Sequence, residues 1–166
     1  MGHNICALIS RKSIDEIGVK KFQLAVAFED DFVIVILEME SIFYWSQKLD
    51  LSIESRNEKI DWDCELVHYF AKELKMEKYA LIQTDYFAGI GEQSASLYEN
   101  GNLIIENKSI NDVLKRLGVN KGHFADEFDT LNLGEYRTTE HYYWDNYNFA
   151  DKKTNMIAGR IPKDIS

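Results

Sequence analysis

The chain has 166 residues, 45% of them hydrophobic and 28% charged, with a single proline and a net charge of −9. That length fits one domain, the span 1–166, large enough to bury a stable core, and no Ser/Gly/Pro run marks a disordered linker. The carboxylate excess disfavours nucleic acid and anionic membrane surfaces, and it attracts a basic protein partner, although acidity also serves solubility alone.

Asn4–Ile9 predicts a short buried first strand. Gln23–Phe28 and Phe32–Met39 are apolar runs parted by Glu29-Asp30-Asp31, a hairpin signal, and FVIVIL has no polar alternation, which places its strand centrally. Ser41–Leu49 is rich in aromatics and reads as a helical turn. Ser55 and Glu58 fit a capping box. Beyond them Ile60, Cys64, Val67, Ala71 and Leu74 recur at helical spacing, predicting one long helix over about 57–75. Tyr79–Thr84 is a buried strand. Ser94–Tyr98 and Leu103–Glu106 flank Asn100-Gly101, the dipeptide of a tight hairpin turn. Ser109 caps a helix that carries Ile110, Val113, Leu114 and Leu117 on one face and stops at Gly118. Two shorter helices are expected over 124–131 and 139–147. The fold expected is α+β, with a mainly antiparallel sheet of five or six strands, the long helix, and several short C-terminal helices.

The chemistry-bearing signals are sparse. Cys6 and Cys64 make no disulfide framework, and no Cys/His pair has zinc-ligand spacing. The start, MGHNICALISRK, lacks the order of a signal peptide, and the apolar run Phe32–Leu37 is too short to span a bilayer, so a cytoplasmic location is expected. The segment TDYFAGIGEQSASLYENG, residues 84–101, carries Gly89 and Gly91 among carboxylates. A dinucleotide loop needs a third glycine and a following helix, whereas here Ser94 and a strand follow; a Walker lysine is absent too. The glycines therefore read as turn or bulge residues, with Asp85 bonding backbone amides of the turn and Gln93 satisfying loop carbonyls; the alternative is a surface loop that contacts a ligand or partner.

Asp85, Glu92, Gln93 and the acids of DEFD, 126–129, are the material for acid–base work, but DEFD also suits the first turn of a helix. His68 has no second histidine four residues on, and no nucleophile elbow is present. No catalytic residue, metal ligand or cofactor is assigned. The segment His123–Asp151 holds seven acidic side chains, one basic one, and eight aromatics. Tyr142, Tyr143 and Trp144 would project about 100° apart on a helix, so they do not all face one core. Tyr and Trp amid acids suit recognition of a basic protein.

The segments TDYFAGIGEQSA and DEFDTLNLGEYR, with the short helix between them, resemble a set of uncharacterised small bacterial proteins that share TDYFGGxGxQxA-like and DEFDxxxLGxxR-like motifs. The resemblance covers about residues 79–142, and Ala88 departs from it where a glycine is expected. The general character, small and acidic, is similar to that of bacterial toxin-immunity proteins. The expected function is a cytosolic immunity protein that occludes a cognate, basic toxin domain through Glu135, Tyr142, Tyr143, Trp144, Asp145 and Tyr147, with Asp85 and Glu92. The alternative is a small hydrolase-like or ligand-binding domain whose carboxylates converge around 85–93 and 126–129; a homodimer using the same aromatic ridge is a third reading.

Overall fold

The computed structural model describes residues 3–11, 13–87, 90–136 and 156–157. Within them the elements run β1 (His3–Arg11), α1 (Glu16–Phe22), β2 (Ala25–Glu29), β3 (Phe32–Ile36), α2 (Met39–Leu49), α3 (Glu65–Glu73) and β4 (Lys78–Phe87). There follow β5 (Ile90–Glu99), β6 (Asn102–Lys108), α4 (Ile110–Leu117), α5 (Glu127–Thr130), a 3-10 turn over Leu133–Tyr136, and the two-residue β7 (Met156–Ile157). The strands form an antiparallel sheet of order β6-β5-β4-β1-β3-β2-β7, six full strands with β7 at one edge. The α+β class and the antiparallel sheet match the expectation.

Side chains alternate across each strand, so the sheet has two apolar faces to cover. One carries Ile5, Ala7, Ile9, Ile34, Ile82 and Leu97 and packs against Val113, Leu114, Leu117 and Leu133, from α4 and the 3-10 turn. The other carries Leu8, Val33, Val35 and Leu81 and packs against Val19, Phe22, Trp45, Val67 and Phe70, from α1, α2 and α3. Because both faces are covered, all five residues of β3 are buried, which is why FVIVIL reads as a continuous apolar run. Each large side chain so buried contributes roughly 1.5–3 kcal/mol. Asn100 and Gly101 both adopt positive φ, 52° and 78°, and close the β5–β6 hairpin as the dipeptide predicts.

The long helix over 57–75 is not there. Helix α3 starts only after Cys64, and it spans nine residues. The reason is local competition for the backbone. The Ser55 hydroxyl donates to the Ile60 carbonyl at 2.5 Å and accepts from the Asn57 amide at 3.1 Å, while Asn57 Oδ1 accepts from the Lys59 amide at 2.8 Å. These side chains hold 55–63 in turns, and the capping box with Glu58 is not formed. Ile60 and Cys64 are fully buried nonetheless, so their helical spacing recorded burial and not helix. Helix α1 is absent from the sequence expectation: its seven residues are shorter than the window that periodicity needs, and its start is fixed by Asp15, whose side chain accepts from the Ile17 amide at 3.0 Å. The helix expected over 139–147 lies outside the described residues.

Candidate functional site

The β4–β5 hairpin sets Asp85 opposite Glu92, Gln83 opposite Ser94, and Tyr79 opposite Tyr98. Directly opposed residues share a face, and the burial of Tyr79, Leu81 and Tyr98 with α3 puts this set on the α1–α3 side. Toward the hairpin tip that face opens, and Asp85 and Glu92 are exposed. Segment 55–63 lies alongside. The Asp61 amide donates to Gln83 Oε1 at 2.7 Å, and Gln83 Nε2 donates to Asp61 Oδ2 at 3.0 Å.

Between this segment and the hairpin is an open cleft of about 380 Å³. Among the described residues its charged lining is Glu58, Asp61, Asp85 and Glu92 against Lys59, four carboxylates to one ammonium and a balance of −3. Lys59 Nζ lies 3.5 Å from Glu92 Oε2, but both side chains are mostly exposed, so the pairing is weak. Two carboxylates directly opposed across strands repel, which fold stability alone disfavours. Gly91 makes the approach of the two strands possible here: a Cβ on it would lie 2.0 Å from the Asp85 carbonyl oxygen. The glycine serves close backbone approach between β4 and β5. Gly89 lies outside the described residues.

Beneath the cleft is a buried polar network that no motif announced. The Asp63 carboxylate accepts from Tyr98 Oη at 2.5 Å, from His68 Nε2 at 2.6 Å and, more weakly, from Asn57 Nδ2 at 3.4 Å. Burial pushes the Asp63 carboxyl up, but the hydrogen bonds from His68 and Tyr98 outweigh it and hold the group below its usual range. An ionised Asp63 requires the proton on His68 Nε2. Burial raises the Tyr79 phenol, so Tyr79 stays protonated, and its Oη lies 2.7 Å from His68 Nδ1. Burial, with the bond to Asp63, likewise raises Tyr98. Asn57 Nδ2 also donates to Asn107 Oδ1 at 2.8 Å, which accepts from Ser94 Oγ at 3.1 Å. Loop 55–63, α3, β5 and β6 are thereby tied together under the cleft wall.

Neither cysteine is poised as a thiolate. Cys64 is fully buried and its thiol is pushed up by burial; burial also raises Cys6, with Asp61 adding to the effect. Among the described residues no group of His, Cys, Asp and Glu has the arrangement of a metal site. Of the DEFD acids, Asp126 serves the chain itself: its Oδ1 accepts from the Asp129 amide at 2.8 Å as an N-cap, and its Oδ2 accepts from Asn111 Nδ2 at 3.0 Å. Helix α5 packs on the α4 side, so Asp85 and Glu92 stand on the opposite face of the sheet from residues 126–129.

The expected contact residues therefore divide. Asp85 and Glu92 come together in the cleft. Glu135 is exposed in the 3-10 turn, whose Leu133 and Tyr136 pack on the α4 side, away from them. Tyr142, Tyr143, Trp144, Asp145 and Tyr147 lie outside the described residues. Sequence reasoning missed Glu58, Lys59 and Asp61, because the capping-box reading turned them into helix surface. Among the described residues no helix is long and apolar enough to cross a membrane. No protein-family model, curated protein or solved structure matches the chain.

Proposed function

We propose that the protein is a binding and blocking partner of the immunity type, which captures a cationic surface of a cognate toxin domain in the cleft between loop 55–63 and the β4–β5 hairpin. The observation that carries this reading is the cleft's charge: four carboxylates face one lysine, and two of the four, Asp85 and Glu92, oppose each other across the hairpin. A lysine or arginine side chain entering there relieves that repulsion, so part of the binding energy is stored in the free protein. The net charge of −9 steers such a partner from a distance, and neutralisation is steric and electrostatic with no chemistry of the protein's own. The aromatic segment around Trp144 and Asp145 adds a second candidate contact in this reading. An enzyme reading needs Asp85, Glu92 and residues 126–129 around one cleft, and the sheet stands between them.

The test is capture from the native cell with the full chain and with the double variant D85K/E92K. The wild-type chain is expected to retain a basic protein at low salt and release it as salt rises. The double variant is expected to lose it. Retention of the same partner by the folded double variant refutes the cleft as its site.

A further inference from the structure

Beside the cleft, α2 presents Met39 and Phe43 to solvent, 56% and 45% exposed. The two are one helical turn apart and share a face. Phe43 meets the half-buried Trp62 edge-on, with ring centroids 6.0 Å apart. Trp62 directly follows Asp61, which lines the cleft and is pinned to Gln83. The apolar ledge Met39–Phe43–Trp62 is thus continuous with the acidic wall, and the exposed Glu40 next to Met39 extends the negative charge onto α2.

We infer that ledge and cleft form one docking surface, and that its occupant is a protein segment in which arginine is flanked by large apolar side chains. This rests on the proposed cleft reading and names the chemistry of its partner. The charge decides the sign of the partner: −3 at the cleft lining and a further carboxylate on α2 exclude an acidic segment. The ledge decides the rest. A polycation alone would satisfy the carboxylates but leave Met39 and Phe43 in water, whereas leucine-sized side chains beside the arginine cover them. Arginine suits the junction better than lysine because its planar guanidinium pairs with a carboxylate while stacking on an aromatic ring such as Phe43 or Trp62. Aromatic anchors next to desolvated charge are where interface energy concentrates.

The experiment uses the isotope-labelled full chain and two peptide amides at low salt, one alternating leucine with arginine and one with each leucine replaced by serine. The leucine peptide is expected to shift the backbone amides of 39–43 together with those of 58–62 and 85–92, and to bind at least about fivefold tighter than the serine peptide. Phe43→Ser, at an exposed position, is expected to lower leucine-peptide affinity by a clearly larger factor than serine-peptide affinity, because the serine peptide loses only the arginine's stacking partner; Met39→Ser is the second variant. If both peptides bind equally and the 39–43 amides stay still, the ledge inference is overturned while the cleft reading stands. If neither peptide moves the cleft amides, both fall. If the 39–43 amides shift with protein concentration in the absence of peptide, the ledge is an interface between copies of this chain and the inference is overturned.

Discussion

Glu38→Gln is the substitution with the largest expected gain in stability. Glu38 holds the N-cap position of α2, where Ser, Thr, Asp or Asn is usual, and its side chain makes no capping bond. It is 7% exposed, and its Oε1 and the Ser41 Oγ are buried without hydrogen-bond partners among the described residues. Burial, helped by the nearby Glu40 charge, raises the Glu38 carboxyl from an ordinary 4.5 to about 8. The folded chain then holds a proton that the unfolded chain has released, so stability falls as pH rises through the window between those two values. The slope is about 1.4 kcal/mol per pH unit, which reaches roughly 3 kcal/mol at pH 7 and about 5 kcal/mol above the folded value. Glutamine keeps the shape and removes the ionisation. The variant and wild type are expected to be equally stable below pH 4.5, and to diverge until the variant is ahead by about 3 kcal/mol at pH 7, or about 10 °C in Tm for a chain of this size. Urea unfolding followed by far-UV circular dichroism across that range measures the divergence. Curves that stay parallel from acid to pH 8 would refute the buried-carboxyl argument.

Asp63→Asn is expected to act in the opposite sense. It replaces one of the two acceptor oxygens with an NH2 donor and removes the charge, so the three donors His68, Tyr98 and Asn57 cannot all be satisfied in a buried site, and a loss of about 3 kcal/mol at pH 7 follows. Because the Asp63 carboxyl is held below its usual range, its contribution is present above the ordinary aspartate value of about 3.9 and disappears as pH falls through the lowered folded value. Thermal melts of both chains should therefore converge in acid, and equal Tm values at pH 7 would remove the network as a stabiliser. Asp85→Asn is expected to raise stability by a few tenths of a kcal/mol by relieving the repulsion with Glu92, while weakening capture of the basic partner. A variant that is less stable than wild type in urea, or that binds unchanged, contradicts the role given to this pair.

What the sequence revealed and what it hid have separate physical causes. Strands β2 to β6 are legible because their apolar runs are bounded by turn residues, and Asn100-Gly101 fixes one hairpin outright. The 57–64 region misled because Ile60 and Cys64 are buried at helical spacing while Ser55 and Asn57 spend their side chains on the turns between. Periodicity detects burial, and only the side-chain bonds show which backbone delivers it. The candidate site was half legible. Asp85 and Glu92 stand out beside the glycines, but Asp61 joins them through Gln83, a pairing across 22 positions that no local pattern carries, and Glu58 lines the same cleft. Asp63 and His68 both fall within the span expected as one helix, and no motif there singles out the pair.

The two halves of that hidden set explain each other. A cleft that gathers like charges tends to relax by moving its walls apart, and loop 55–63 is made of turns with few apolar side chains to hold it. Asp63, at the end of this loop, is the point of attachment: Tyr98 anchors it to β5, His68 to α3, and Asn57 links it onward to Asn107 of β6. The Arg56 amide donates to the Asp63 carbonyl at 2.8 Å, closing the loop on itself. Burial of this network keeps water and salt from screening it, so it stays rigid under conditions that weaken exposed pairs such as Lys59–Glu92. Repulsion between Asp85 and Glu92 is then held in a fixed frame, available to an incoming cation and not dissipated by loop movement. The buried carboxylate supplies the rigidity on which the exposed ones depend.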